Sequence, residues 1–432
     1  MKYTITHVRG RQIWDSRGRP TVEAEVTVAG GAMGRGIAPA GASRGAYEAL
    51  DLRDGGKRFG GFGVDRAVAT VNGQIAQAFT GRDVRDQSGL DGLLETLDGT
   101  PGFANLGANA AVAVSLAALH AAAAAEGLPL WRYLAAGTKV RIPLPEVQIF
   151  GGGAHAGRRT DVQDFMVMCP RAETVREAFE ITADVYRAAG ALMEESGRLA
   201  GVADEGGWWP LFDSNEEVLD TLVQAIDRSG WRAGHDVYIS LDVAANELTH
   251  GDGYRLPLDG AELTSGQMVE RVAGWAARYP ILSIEDPVGQ DDAIGMADAT
   301  SRFGDRVQVI GDDFLVTNAE RVRGAAEAGA CNAVLVKVNQ AGTVSRAKAA
   351  LDAARAIGWS AIVSARSGET EDVAIAHLAT GWDAGQLKVG SFTRSERMAK
   401  WNELLRIEEA MGAEAVFAGA GALPASVAKA LA

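Results

Sequence analysis

Cysteine is almost missing from this chain: Cys169 and Cys331 are its only two in 432 residues. A disulfide framework is thereby excluded, and a reducing cytoplasmic setting is expected. Histidine is nearly as scarce. His7, His120, His155, His235, His250 and His377 lack the spacing of a zinc site. Positive charge is in deficit, with 42 Lys and Arg against 56 Asp and Glu, a net −14. That balance argues against nucleic acid or an anionic membrane as partner. No apolar run reads as long enough to span a membrane, and the opening residues, MKYTITHVRGRQIWDSRG, do not form a signal peptide. The glycine-rich stretch FGGGAHAG (150–157) lacks the GK[ST] ending of a phosphate loop, so a nucleotide site is disfavoured.

What is present is a large globular composition, 47% hydrophobic and 23% charged. The length favours two domains over one. Residues 1–135 read as a small α+β domain. TVEAEVTVAG alternates like a half-buried strand, GRGIAPAGASRGAYEAL reads as a mobile loop, and NAAVAVSLAALHAAAAAEG reads as an Ala-rich helix. From Leu144 onward the pattern changes, because Pro143 and Pro145 break the helix before an apolar run. The second domain is expected over 143–432, closing in the helical tail RSERMAKWNELLRIEEAMG.

That second domain repeats one motif, a short apolar run ending on a charge. VYISLD ends on Asp242, ILSIED carries Glu285 and Asp286, and VQVIGDD carries Asp312 and Asp313. AVLVKVN carries Lys337, SAIVSAR ends on Arg366, and GQLKVG carries Lys388. The spacing suits successive strand–helix units of a parallel (β/α) barrel, whose chemistry gathers at the C-terminal ends of the strands. Three acids followed by three bases at those ends suggest a metal site beside an anion site. Converging carboxylates repel one another unless a cation lies between them, and magnesium favours such oxygen ligands. The competing assignment makes each acid an N-cap of the next helix.

Other side chains fit the same chemistry. Burial and a nearby metal would lower the pKa of Lys337 toward that of a general base; the competing assignment is a structural ion pair. Arg366 and Ser367, in SARSGETED, offer a fork and a turn for an anion, and Lys388 adds a second cationic point. His155, in a Gly/Ala loop, reads as more exposed than a core histidine. Glu205, in ADEGGWWP, stands next to two tryptophans, whose apolar surroundings suit a general acid.

Taken in order, RQIWDSRGRPTVE, APAGASRGAYEALDLRD, GGGAHAG, VQDFM, DEGG, LDVAANE, SIEDP, LVKVNQAGTVS, SARSGETED and GQLKVG resemble the enolase family over nearly the whole chain. The resemblance implies an α/β fold, an N-terminal α+β cap followed by an atypical (β/α)8 barrel. It implies a homodimer or higher homo-oligomer with two Mg2+ per site. The reaction implied removes water from 2-phosphoglycerate, a small anionic phosphorylated carboxylate, to give phosphoenolpyruvate. Asp242, Glu285 and Asp312 would hold the first magnesium, and Ser43 would help hold the second. Lys337 would take the proton next to the carboxylate, and Glu205 would help the hydroxyl leave. Arg366 and Ser367 would hold the phosphate and Lys388 would face the carboxylate. His155, Asp164 and Arg44 complete the expected substrate contacts.

The chain departs from the family pattern at Ala365 (histidine), Asp164 (glutamate), Arg44 (threonine), Ala40 (serine), Gly151, Ala154 and Arg158, and at Trp208–Trp209 after DEGG. These changes suggest an emptied phosphate end with arginine added. An enolase-like enzyme of phosphonate biosynthesis, resembling carboxyphosphonoenolpyruvate synthase and joining a phosphonoformyl group to 2-phosphoglycerate, therefore stands as an alternative. A catalytically weak binding protein ranks last.

Overall fold

A computed structural model describes residues 1–431. The first part of the chain builds an antiparallel sheet from β1 (Ile5–Trp14), β2 (Pro20–Val28) and β3 (Met33–Ile37). The helix Ala108–Glu126 lies across it. A Cβ on Gly34 would stand 2.1 Å from the Ala121 nitrogen, and one on Gly36 would stand 2.5 Å from the Ala113 carbonyl oxygen. Glycine on the strand and alanine on the helix therefore let the two backbones approach closely. By length and apolar composition this helix does meet the requirement for a membrane span, contrary to expectation, yet most of it is buried in the cap's own core.

The remaining strands are β4 (Leu144–Gly151), β5 (Asp164–Met168), β6 (Tyr238–Asp242), β7 (Thr249–His250), β8 (Gly253–Leu256), β9 (Ala261–Leu263), β10 (Ile281–Glu285), β11 (Gln308–Gly311), β12 (Ala333–Val336), β13 (Ser360–Ser364) and β14 (Gly385–Ser391). Of these, β7–β9 form a small antiparallel sheet. The rest close into an eight-stranded barrel in the order β10-β11-β12-β13-β14-β4-β5-β6. One strand breaks the parallel series: β5 pairs antiparallel with both β4 and β6. The segment between β4 and β5 contains only the 3-10 turn Gly153–Ala156, with no crossover helix to carry the chain back for a parallel strand. The reversal places the first residue of β5, Asp164, directly across from Asp242, the last residue of β6.

The helices around the barrel begin on caps supplied by Thr174, Ser214, Thr264, Asp292, Asn318 and Thr343. Strand-end acids Asp242, Glu285 and Asp312 are not among them. The capping assignment for those acids therefore fails, and they remain free for the barrel mouth.

One layer below the mouth, Glu146 of β4 is wholly buried. Ser240 donates to its Oε2 at 2.9 Å, while Oε1 has no partner. Burial pushes its pKa up to about 7. An unfolded chain ionises glutamate near about 4.3. Between those values the unfolded chain sheds a proton that the native protein keeps, so native stability declines as pH rises through that window and then levels off. Glu146→Gln is expected to stabilise the protein by about 3 kcal/mol at pH 8, with the gain vanishing near pH 4. Urea unfolding at both pH values checks this. An equal change at both would mean that Glu146 ionises normally.

Candidate active site

At the C-terminal mouth of the barrel a small pocket gathers side chains from both domains. It is lined by His155, Asp164, Glu205 and Asp242, together with Lys337, Ala365, Arg366, Ser367 and Lys388. Ser43 closes it from the cap's loop. Glu285 and Asp312 lie behind this lining, bonded to the two lysines. Arg44 does not line the pocket: its guanidinium turns back onto the Ala49 carbonyl at 3.1 Å and stands 3.9 Å from Glu48.

Ion pairing organises the floor. Lys388 Nζ donates to Asp242 Oδ2 at 2.9 Å and to Glu285 Oε2 at 2.8 Å, with Asp164 3.6 Å away. Lys337 Nζ donates to Asp312 Oδ2 at 2.5 Å. Burial alone would strip the proton from either lysine, but these carboxylates outweigh it and raise both pKa values. The ion pair that stood as the competing assignment for Lys337 is thus present, and burial, the lowering influence expected there, is opposed by Asp312. Asp312, with Glu285 farther off, offsets the burial, so the chain by itself keeps Lys337 an ammonium ion.

The same residues suit a divalent cation. Glu285 is fully buried with Oε1 unpartnered, and burial together with Asp242 holds its pKa well above the ordinary range. An oxygen-only donor set crowded enough to resist ionisation is one that a hard cation would relieve. Among the described residues, the groups whose ligand atoms all lie within 4.8 Å of one another are His155 with Asp164 and Glu205, and Asp286 with Asp312 and Asp313. Asp242, Glu285 and Asp312 do not form such a group, and Lys388 stands against the first two of them. In the second group Asp286 is already committed, since its two oxygens accept the backbone N–H groups of Asp312 and Asp313 at 2.9 and 2.7 Å.

His155 is buried, with 5% of its surface exposed, which corrects the expectation of an exposed loop histidine. The reason is the turn Gly153–Ala156, which folds its ring inward against β5. Its Nδ1 lies 3.0 Å from Asp164 Oδ1 and its Nε2 3.8 Å from Glu205 Oε1. Burial disfavours the charged ring, but Asp164 and Glu205 raise its pKa to about 9, so it is an imidazolium at neutral pH.

Trp208, for one, turns away from Glu205. Trp208 stacks on Tyr186 at 4.7 Å, and Glu205 faces His155 and the buried Arg397 instead. Its neighbours are cationic because the turn after DEGG sends the indole into the helix Val175–Glu195.

Several contributors had no sequence signal of their own. Gln148 donates to Asp164 and accepts the Gly207 N–H at 2.9 Å, tying Asp164 to the turn that carries Glu205. Gln163 donates to Asp242 at 3.1 Å. Gln340 donates to Asp312 Oδ1 at 2.8 Å. Arg17 donates to Ser367 Oγ at 3.1 Å, and the Ala42 N–H reaches the same oxygen at 2.6 Å. Only the positions of these amides in or beside apolar runs, and Arg17 in the DSRG stretch, hinted at them.

Of the departures from the family pattern, Ala365 and Asp164 line the pocket. At Gly151 a Cβ would stand 2.6 Å from Ala203, so packing accounts for the glycine. Ala154 and Arg158 lie in a neighbouring pocket, and Arg158 pairs with Glu247 at 2.5 Å. The common direction suggested for these changes therefore dissolves into separate causes.

Comparison with known proteins agrees with this architecture. Residues 5–134 match the family described as enolase, N-terminal domain, and residues 139–425 match enolase, C-terminal TIM barrel domain. The protein named Enolase 1 of Desulfitobacterium hafniense (strain Y51) is 46% identical over 428 residues, covering 97% of this chain and 98% of that protein. The protein named Enolase of Rubrobacter xylanophilus is 48% identical over 419 residues, covering 97% of each.

Proposed function

This chain belongs to the enolase family, and on that premise we propose how its side chains carry out the hydro-lyase reaction, the elimination of water from 2-phosphoglycerate to give phosphoenolpyruvate. The observation that supports the assignment best is the meeting of Lys337, Glu205, Arg366, Ser367 and Lys388 around one pocket. A base, an acid and an anion clamp within one enclosure match a substrate carrying a phosphoryl group, an acidic C–H and a leaving hydroxyl.

Arg366 and Ser367 hold the phosphoryl group, and Lys388 faces the carboxylate. Lys337 Nζ takes the proton from the carbon next to that carboxylate. Glu205 helps the hydroxyl leave as water, the proton that it passes on coming from the His155 imidazolium beside it. Asp242, Glu285 and Asp312 would hold one magnesium ion, and Ser43 would contribute to a second. When bound, magnesium stabilises negative charge gathering on the carboxylate. Asp312 would hold Lys337 less firmly as an ammonium ion if it were engaged by a cation, which would favour the lysine as the base. The proposal includes a cytoplasmic homodimer; both cysteines are free and buried, as a reducing compartment allows.

The spectrophotometric appearance of phosphoenolpyruvate from 2-phosphoglycerate tests the assignment on the unmodified protein. Robust turnover is expected. Weak turnover that Ala365→His with Asp164→Glu restores would return the phosphonate alternative to the front. The curated relatives, both named enolase at 46 and 48% identity, do not favour that alternative.

A further inference from the structure

Glu48 takes no part in the roles above, yet it is buried at the centre of the site's hydrogen bonds. It lies just past the loop of the cap that closes the pocket, and 5% of its surface is exposed. Arg366 Nη1 donates to Glu48 Oε2 at 3.0 Å, and Nη2 donates to Oε1 at 3.2 Å, a two-pronged pair. Both side chains are almost entirely removed from solvent. The same Oε1 accepts the Gly45 N–H at 3.1 Å and Gln340 Nε2 at 3.2 Å. Gln340 Nε2 also reaches Asp312 Oδ1 at 2.8 Å. Arg366 Nη2 has one further partner, the Ser43 carbonyl oxygen at 2.8 Å. Gly41 passes so close to the guanidinium that a Cβ there would overlap it.

We propose that Glu48 is a positioning residue for Arg366: its carboxylate grips the guanidinium by both prongs at the edge of the pocket, partly neutralises it, and ties it through Gln340 to Asp312. A buried arginine without a carboxylate partner has no fixed direction and a larger uncompensated charge. Position and charge are separable. Glu48→Gln keeps an oxygen to accept from Gly45 or Arg366 but removes the negative charge. Glu48→Ala removes both.

The inference rests on Arg366 as the phosphate-binding arginine, so the test uses inorganic phosphate in metal-free protein and needs no turnover. Isothermal titration is expected to show phosphate binding about fivefold more tightly to Glu48→Gln than to the parent, because the guanidinium is no longer neutralised. In the kinetic assay, Glu48→Ala is expected to raise KM about tenfold and to lower kcat, with Glu48→Gln closer to the parent in KM. A merely structural glutamate would give the opposite sign for phosphate. Unchanged or weaker phosphate binding in Glu48→Gln, with thermal unfolding like the parent's, overturns the proposal. If the parent binds phosphate but makes no phosphoenolpyruvate, the reaction assignment fails while the role of Glu48 is still measured.

Discussion

Lys337→Ala is expected to lower kcat by at least about 10³-fold, the range that loss of a general base produces, while the protein still folds. The lysine follows directly from β12, and its Nζ donates to Asp312 behind the pocket lining. Its backbone position is fixed independently of the side chain, because its N–H donates to Thr317 Oγ1 at 2.9 Å. Truncation therefore removes the amine without freeing the strand. The remaining cost falls on Asp312, left buried with Gln340 but without its ammonium partner. Loss of one partner of a buried pair destabilises by roughly 3–5 kcal/mol, so a lower melting temperature with native circular dichroism is expected. Near-normal turnover in this variant would show that another group takes the proton.

The second large effect concerns the acids. Excess chelator is expected to abolish turnover, and added magnesium to restore it. Full activity in chelator would sink the metal assignment. A readout without catalysis is available, since a ligand that binds only the native state raises its melting temperature. Magnesium is expected to raise the melting temperature of the parent protein but not of Glu285→Gln, whose site has lost one anionic oxygen donor. The dependence on pH has a definite sign. Glu285 is held well above the usual carboxylate range by burial and by Asp242. Its proton must leave before a cation binds there, so magnesium affinity is expected to increase as pH rises. An affinity that falls with rising pH would contradict this.

The barrel strands and the charges at their ends were legible because each is local. An apolar run of four to six residues followed by Asp, Glu or Lys announces a strand and its functional end. The Ala-rich helix of the cap was legible for the same reason, although its fit against Gly34 and Gly36 was not. Glu48, Gln148, Gln163 and Gln340 went unread because an isolated amide or carboxylate in a loop or strand has no periodicity. Their meaning lies in partners such as Arg366, Asp164, Asp242 and Asp312, most of them far away along the chain. His155 and Trp208 were misjudged through their immediate neighbours, since glycine and alanine in sequence say nothing about which way a turn folds.

The sequence by itself determined the family, the cap-and-barrel order and the ladder of three acids and three bases. Each of these is carried by residue type and spacing along the chain. Only the tertiary structure decided that β5 runs against its neighbours and brings Asp164 to the mouth of the barrel. It also decided that Lys388 and Lys337 are bonded to the acids they accompany, and that Glu48 reaches Arg366 from the other domain. The physical reason is common to all three. Strand direction, ion pairing and burial depend on which segments meet in space, and a single chain read residue by residue does not encode that meeting locally.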